Sequence, residues 1–160
     1  MANKKITATG LLQSRRIKLS LIFALISGLF VTAGCKEARS TENEAATVKT
    51  YFPLEIGLTS LQAQIAIHPH ELRQGLMFRT HLEANNGMLF VFKDPMQQSF
   101  YMRNTKIPLD IGYFTADGTL KEIYPMYPED ETPVRSISHS IQFSLEMNQG
   151  WFAEHKVTPG

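Results

Sequence analysis

The chain has 160 residues, with 16 basic and 15 acidic side chains and one cysteine. Residues 1–35 hold five basic and no acidic residues, which leaves 11 basic against 15 acidic residues in the rest, a net charge of −4. No cluster of basic residues remains there to follow nucleic-acid phosphates, so we expect no nucleic-acid partner. A single cysteine excludes a disulfide within the chain and any site built from several thiolates.

Residues 1–34 have the organisation of a signal peptide. The apolar core covers residues 19–31, and the small residues Ala33 and Gly34 precede Cys35. Five basic residues come before the core: Lys4, Lys5, Arg15, Arg16 and Lys18. The pattern is similar to a bacterial lipoprotein signal, which implies cleavage before Cys35 and lipid attachment to that cysteine. Thr32 departs from the usual Leu at its position, so ordinary secretion and an uncleaved anchor stay open as alternatives.

The segment that follows has the composition of a tether. Residues 36–50 are polar and lack aromatic side chains, so we predict a lipidated cysteine and a flexible linker over residues 35–50. The lipid would then be the contact with the membrane, on the periplasmic side of the cell envelope. Lys36, rather than Asp, directly after the cysteine favours the outer over the inner membrane.

The first half of the predicted globular domain, residues 51–160, contains two strand patterns and a helix pattern. Apolar residues alternate over 61–67, with Leu61, Ala63, Ile65 and Ile67 on the predicted core face. Pro69 is suited to the first position of a short helix over 70–78. The apolar run at 88–92, bounded by Asp94-Pro95, predicts a strand buried on both faces.

The second half is richer in strands. We predict strands over 99–103 and 141–147, a loop over 125–133, and a short terminal helix over 149–156. Ala116-Asp117-Gly118 between two apolar segments predicts a β-hairpin. These elements indicate an α+β fold, a compact, mostly antiparallel and barrel-like domain with two short helices.

Four motifs occur in order along this domain. They are residues 73–79 (RQGLMFR), residues 87–92 (GMLFVF), residues 100–111 (FYMRNTKIPLDI), and Leu145-Glu146 with Gly150. Together they resemble domain-of-unknown-function family 192 of bacteria and archaea. The resemblance implies a compact mixed domain of largely antiparallel strands and no assigned activity. Members usually continue beyond Pro-Gly with a closing strand, so we expect either an exposed sheet edge or closure by Val157.

Polar residues beside the apolar segments of these motifs are the candidate ligand-binding residues. One hypothesis places them around a cleft that fixes a small polar ligand. The alternative is structural: Asp110 and Glu146 pair with arginines, while Asn104 and Thr105 satisfy loop backbone. The candidates are Arg73, Arg79, Asn104, Thr105, Asp110 and Glu146.

Metal-ligating residue types are present but scattered. His68 and His70 flank a proline at a helix start, and five methionines fall on separate predicted elements, so we predict no metal site and no cofactor. The methionines are Met77, Met88, Met102, Met126 and Met147.

The predicted function is that of a membrane-tethered envelope module that binds a small polar ligand or an envelope protein. We favour a binding module over an enzyme because no nucleophile motif is present. One alternative is a small periplasmic hydrolase with Asp110 and Glu146 as paired carboxylates, or with His139 recruited. Another is a purely structural envelope lipoprotein.

Overall fold

The computed structural model describes residues 5–8 and 49–160, including the whole region predicted as a globular domain, residues 51–160. These residues form nine strands and two short helices. In chain order they are β1 (Ile6–Ala8), β2 (Phe52–Ile56), β3 (Thr59–Ala66), α1 (Pro69–Gln74), β4 (Asn86–Met96), β5 (Ser99–Phe100), β6 (Leu109–Thr115), β7 (Leu120–Met126), β8 (Val134–Arg135), β9 (Ile141–Asn148) and α2 (Trp151–Glu154).

Seven of the described strands form one sheet, in the order β1-β2-β3-β4-β9-β6-β7, and β5 pairs with β8 in a small second sheet. All the described pairs are antiparallel except β3 with β4, which α1 connects as a crossover. The sheet curls into a half-barrel and stays open. The α+β expectation is therefore compatible with this mostly β fold, whereas "barrel-like" is corrected to an open, curled sheet.

The two faces of the sheet carry different apolar clusters. One face packs Leu54, Leu89 and Leu145 against Trp151 and Phe152 of α2. The other packs Phe90, Ile111 and Tyr113 beneath the α1 crossover and the loop that contains Met102. Because both faces are covered, the central strands β4, β6 and β9 are apolar along most of their length.

This double coverage changes the pattern predicted for β3. We expected Ile65 and Ile67 to face the core, with Gln64 and Ala66 on the solvent side. Ala66 is fully buried and Gln64 is 4% exposed, whereas Ile67 is 51% exposed. The alternation is wrong at the end of the strand because the chain leaves the sheet there to enter α1.

The hairpin is confirmed. β6 and β7 pair antiparallel around residues 116–118, and Gly118 has φ +79°. That conformation strains any side chain, so the glycine meets a backbone requirement of the turn.

Other elements differ in extent from the prediction. β4 continues through Asp94-Pro95, but its pairing with β9 is interrupted between Val91 and Met96, so the proline interrupts no regular ladder. The strand predicted over 99–103 is only two residues long, and β7 extends to Met126, which shortens the loop predicted over 125–133.

Both helices are shorter than predicted. The first ends at Gly75, whose φ of +50° departs from helical geometry. The second is four residues long and buries Trp151 and Phe152. Val157 is 2% exposed and packs in the same cluster, so it contributes to the core near α2.

Residues 5–8 lie within the segment predicted as a signal peptide. In the structure Ile6–Ala8 form β1, which pairs with β2, and Lys5 forms an isolated bridge with Thr119 beside the turn of the β6–β7 hairpin. Cys35 and the predicted tether up to residue 48 lie outside the described residues. Among the described helices, none is both long and apolar enough to cross a membrane.

Candidate ligand-binding cavity

A cavity of about 200 Å³ lies between the end of α1 and the face of the sheet formed by β4 and β9. Exposed residues of its wall, among them Arg73, Gln74, Ser99 and Tyr101, mark the side nearest solvent. The other lining residues are Leu72, Gly75, Leu76, Met77, Phe90, Phe92, Gln98, Phe100, Thr105 and Glu146. The wall therefore combines an aromatic surface with a few polar groups, as small-molecule sites in proteins commonly do.

Glu146 is the only carboxylate in this wall among the described residues. It lies on β9 between its cross-strand neighbours Met88 and Ile111, and it is 5% exposed. Burial raises the pKa of Glu146 to about 8, although the positive charge of Arg79 lowers that pKa in part. The side chain is therefore mostly protonated at neutral pH, and no hydrogen bond or ion pair from the described residues reaches it.

Gln98 is the second buried polar group in the wall. Its residue is 7% exposed, and its backbone N–H donates to Oγ of Ser136 at 3.0 Å. Its side-chain Nε2 is buried and has no hydrogen-bond partner among the described residues. Native proteins pair nearly all such groups, so an unpaired amide on a residue that lines a cavity calls for an explanation.

Gly75 allows the chain to approach the sheet closely at the cavity. A Cβ at this position would lie 3.2 Å from Cζ of Phe90 and 3.9 Å from Oε2 of Glu146. The positive φ of Gly75 also turns the chain away from α1. The glycine in the RQGLMFR motif therefore places backbone, rather than a side chain, next to the buried carboxyl group.

The loops beside the cavity contain unusual backbone conformations. Phe78, Asn104 and Glu129 have φ values of +65°, +55° and +60°, which cost non-glycine residues roughly 1–3 kcal/mol each. The loops are tied together: Phe78 N–H donates to Asn104 O at 2.7 Å, and Glu129 N–H donates to Thr105 O at 3.1 Å. Phe78 is 70% exposed, so burial of its own ring does not offset this strain.

Three of the six predicted site residues meet at the cavity: Arg73, Thr105 and Glu146. Arg73 is exposed at the rim, and Thr105 donates to the backbone oxygen of Arg103 at 3.3 Å. Asn104 lies in the adjoining loop. Arg79 lies in the segment after α1 and donates to the side chain of Gln64 on β3 and to the hydroxyl of Tyr51.

Asp110 lies elsewhere. It pairs in register with Met147, whereas Glu146 pairs with Ile111. Cross-strand partners share a face and neighbours along a strand alternate, so Asp110 and Glu146 point to opposite faces of the sheet. They cannot flank one scissile bond, so the geometry does not support a hydrolase with Asp110 and Glu146 as paired carboxylates.

The other candidates from the sequence have mostly structural surroundings. Met88, Met102, Met126 and Met147 are 2% exposed or less, within the two apolar clusters. His68 and His70 stack at the start of α1. Within residues 5–8 and 49–160, no group of three or more His, Cys, Asp or Glu residues has the arrangement of a metal site.

The sequence reasoning missed Gln98, Gly75 as a cavity residue, and the aromatic wall of Phe90, Phe92 and Phe100. Phe90 and Phe100 meet edge to face, with ring centroids 4.9 Å apart. The signal available was the alternation within 88–92, since Met88, Phe90 and Phe92 share the face of β4 that carries the helix crossover.

The sequence model of domain-of-unknown-function family 192 (DUF192), described as "Uncharacterized ACR", matches residues 51–160. The chain belongs to this family. The DUF192 match includes every residue that lines the cavity. No curated protein matches the chain.

Two solved structures are similar to this DUF192 chain. A protein of unknown function from Novosphingobium aromaticivorans DSM 12444 is 36% identical, with a TM-score of 0.60 over 63% of this chain and 72% of that one. A candidate transcription regulator from Sinorhizobium meliloti 1021 is 32% identical, with a TM-score of 0.62 over 64% of this chain and 79% of that one.

Proposed function

We propose that the domain binds a small, neutral, polar ligand in the cavity between α1 and the sheet. The observation that carries the proposal is that two buried polar residues line the same cavity: Glu146, to which no described residue donates a hydrogen bond, and Gln98, whose Nε2 is unpaired. An unpaired buried polar group costs roughly 1–3 kcal/mol. A ligand that pairs with both groups would recover that free energy on binding.

The chemistry of the wall defines the class of ligand. A protonated Glu146 offers one donor and one acceptor, and Gln98 offers the donors of its amide nitrogen. The cavity of about 200 Å³ is somewhat larger than a cavity of about 150 Å³ that holds benzene. We therefore favour a compact ligand with a carbonyl, carboxamide or hydroxyl group and an apolar portion that packs on Phe90 and Phe100.

We propose a neutral ligand because of where the charged residues lie around the cavity. No cation among the described residues lies buried in the wall, and Arg73 is exposed at the rim. A charged ligand group inside the cavity would lose its hydration without a buried counter-charge. Arg73 is positioned to contact a part of the ligand that extends into solvent.

Benzamide and benzoate provide a direct test, because they share a shape and differ in charge. Each would be titrated into the ¹⁵N-labelled full chain while the side-chain amide signals of Gln98 are followed by NMR. We expect benzamide to shift the Gln98 signals and benzoate to bind about tenfold more weakly at pH 6. Absence of any benzamide shift at millimolar concentration would count against the proposal.

Gln98→Leu separates binding from folding. Leucine keeps most of the volume and removes the unpaired amide, so stability should be unchanged or higher while benzamide binding is lost. Gln62→Leu is the matched control, since Gln62 is exposed on β3 and lies outside the cavity. A Gln98→Leu variant that binds benzamide as tightly as wild type would contradict the assignment of this residue.

We further propose that the domain works tethered to the cell envelope through a lipid on Cys35. The support is the order of basic residues, apolar segment and Ala33-Gly34-Cys35 in the sequence. A lipid would hold the cavity near the membrane surface, where an envelope metabolite or partner is accessible.

A further inference from the structure

We infer that the groove between β2 and the turn of the β6–β7 hairpin is a docking site for an extended segment of another polypeptide. The groove carries backbone donors and acceptors of β2 on one side and the Gly118 turn on the other. In the structure residues 5–8 lie in it, with Ile6–Ala8 as β1. They serve as a guide to the kind of strand that the groove accepts.

Backbone hydrogen bonds hold the segment on both sides. Gly57 N–H donates to Lys5 O at 3.3 Å, and Ile6 N–H donates to Gly118 O at 3.0 Å. A Cβ on Gly118 would lie 3.0 Å from Ile6 O. The turn therefore depends on a glycine for the close approach of the docked backbone.

Two side-chain positions provide selectivity. Ile6 is half-buried against the apolar cluster that contains Leu54. Lys5 Nζ lies 3.2 Å from Oδ2 of Asp117 in an exposed ion pair. Hydrogen bonds from Thr115, Thr119 and Lys5 hold the pKa of Asp117 well below its usual range, so it stays charged and ready to meet a cation.

The groove has room for a larger anchor than isoleucine. An apolar depression of about 320 Å³ flanks Ile6 and is lined also by Leu54, Ile65, Leu89 and Phe143. A partner strand with a basic residue followed by an apolar residue larger than isoleucine would fill it more completely. Addition of a strand to a sheet edge is a common mode of peptide recognition, in which backbone bonds give affinity and alternate side chains give specificity.

This inference rests on the proposed lipid anchor, because lipid attachment to Cys35 implies cleavage before it. Removal of residues 1–34 would leave this edge open, and an open edge attracts other strands. A partner segment then replaces residues 5–8. The groove packs against the opposite face of the sheet from the cavity, so benzamide binding is expected to be independent of its occupancy. Failure of one proposal therefore leaves the other testable.

The first measurement asks whether residues 5–8 occupy the groove. Hydrogen exchange of the Gly57 amide would be compared in the full chain and in Ile6→Gln, Lys5→Glu and Thr7→Gln variants. We expect at least a tenfold faster exchange in Ile6→Gln and a smaller increase in Lys5→Glu. Thr7→Gln is the matched control because Thr7 is exposed, and its exchange should equal that of wild type. Equal exchange in all four proteins would overturn the assignment.

The second measurement asks whether the vacated groove binds in trans. A fluorescently labelled peptide with the sequence of residues 4–9 (KKITAT) would be titrated against each full-chain variant. We expect at least tenfold tighter binding to Ile6→Gln than to wild type, and loss of that gain when the peptide carries Glu at the position of Lys5. Equal affinity for both proteins, or self-association of Ile6→Gln that excludes the peptide, would overturn the proposal.

Lys5→Glu keeps the test decisive if Ile6→Gln does not fold. Both Lys5 and Asp117 are exposed, so that variant changes the charge match without removing core volume. Moderate strengthening of peptide binding to Lys5→Glu supports docking in trans, whereas no change contradicts it.

Discussion

Oδ2 of Asp110 accepts a hydrogen bond of 2.8 Å from the backbone N–H of Gly150. Gly150 precedes α2 and has φ +89°, so the contact fixes the strand-to-helix connection against the start of β6. Burial raises the pKa of Asp110, and the hydrogen bond from Gly150 offsets part of that rise. Asp110 thus holds the backbone at Gly150 in place. No cation among the described residues forms an ion pair with it.

We expect removal of the Asp110 acceptor to lower the stability of the fold. Asp110→Ala leaves the Gly150 N–H without its partner and should lower the free energy of unfolding by about 1–3 kcal/mol. Asp110→Asn retains an amide oxygen that can accept the same bond, so its loss should be below about 1 kcal/mol. Urea denaturation at pH 7 measures both. An asparagine variant as unstable as the alanine variant would show that the negative charge itself is needed.

Asp110 also illustrates what the sequence could not supply. The motif around it indicated a polar residue at the edge of the core, which is correct, since Asp110 is 8% exposed. Which face of the sheet it occupies depends on the register of β6 against β9, and register is fixed by the whole sheet rather than by local pattern. Asp110 and Glu146 therefore look equivalent in the sequence and have different surroundings in the fold.

We expect Glu146→Gln to change how the stability of the fold depends on pH. The pKa of Glu146 is raised to about 8 in the folded state, above its ordinary value of 4.5. Between these values the unfolded chain releases the proton while the folded chain keeps it, so the stability that wild type has below pH 4.5 is lost as pH rises through 8. Glutamine stays neutral and removes this loss.

The expected result is a stability difference that grows with pH. Glu146→Gln and wild type should be similar near pH 4.5, and the variant should be more stable by a few kcal/mol at pH 9. Urea denaturation over this range measures the difference, and Glu154→Gln serves as the control because Glu154 is exposed on α2. Parallel pH profiles for wild type and Glu146→Gln would show that the carboxyl group is not kept protonated by burial.

Local sequence patterns predicted the positions of strands and turns better than they predicted which strands pair. The Asp117-Gly118 turn and the strand over 141–147 follow from residue type and alternation alone. The parallel pairing of β3 with β4 was missed, although a short helix between two buried strands is typical of such a crossover. Gln98 was missed because a single glutamine before a two-residue strand carries no periodic signal. Its unpaired amide beside the cavity can be recognised only in the three-dimensional structure.

We expect Gly118→Ala to lower thermal stability, because the β6–β7 turn requires a glycine at this position. The φ of +79° strains an L side chain by roughly 1–2 kcal/mol, and the added Cβ would press on Ile6 O at 3.0 Å. Gly150→Ala is the matched control, because its φ is +89° and nothing lies within 4 Å of the added Cβ. Thermal unfolding of both variants should show a loss for each and a larger loss for Gly118→Ala. Equal losses would mean that β1 does not rest on this turn.

Cys35→Ser tests the predicted lipid anchor. Serine lacks the thiol that would carry the lipid, so the variant should lose labelling by an alkyne-tagged fatty acid and move from the membrane fraction to the soluble fraction of fractionated cells, or persist as an unprocessed precursor. Thr32→Leu is the control, since it brings the segment closer to the usual lipoprotein pattern and should keep both labelling and membrane association. Labelling of Cys35→Ser at the wild-type level would refute lipidation at this residue, and with it the proposal that the cavity works at a membrane surface through this lipid.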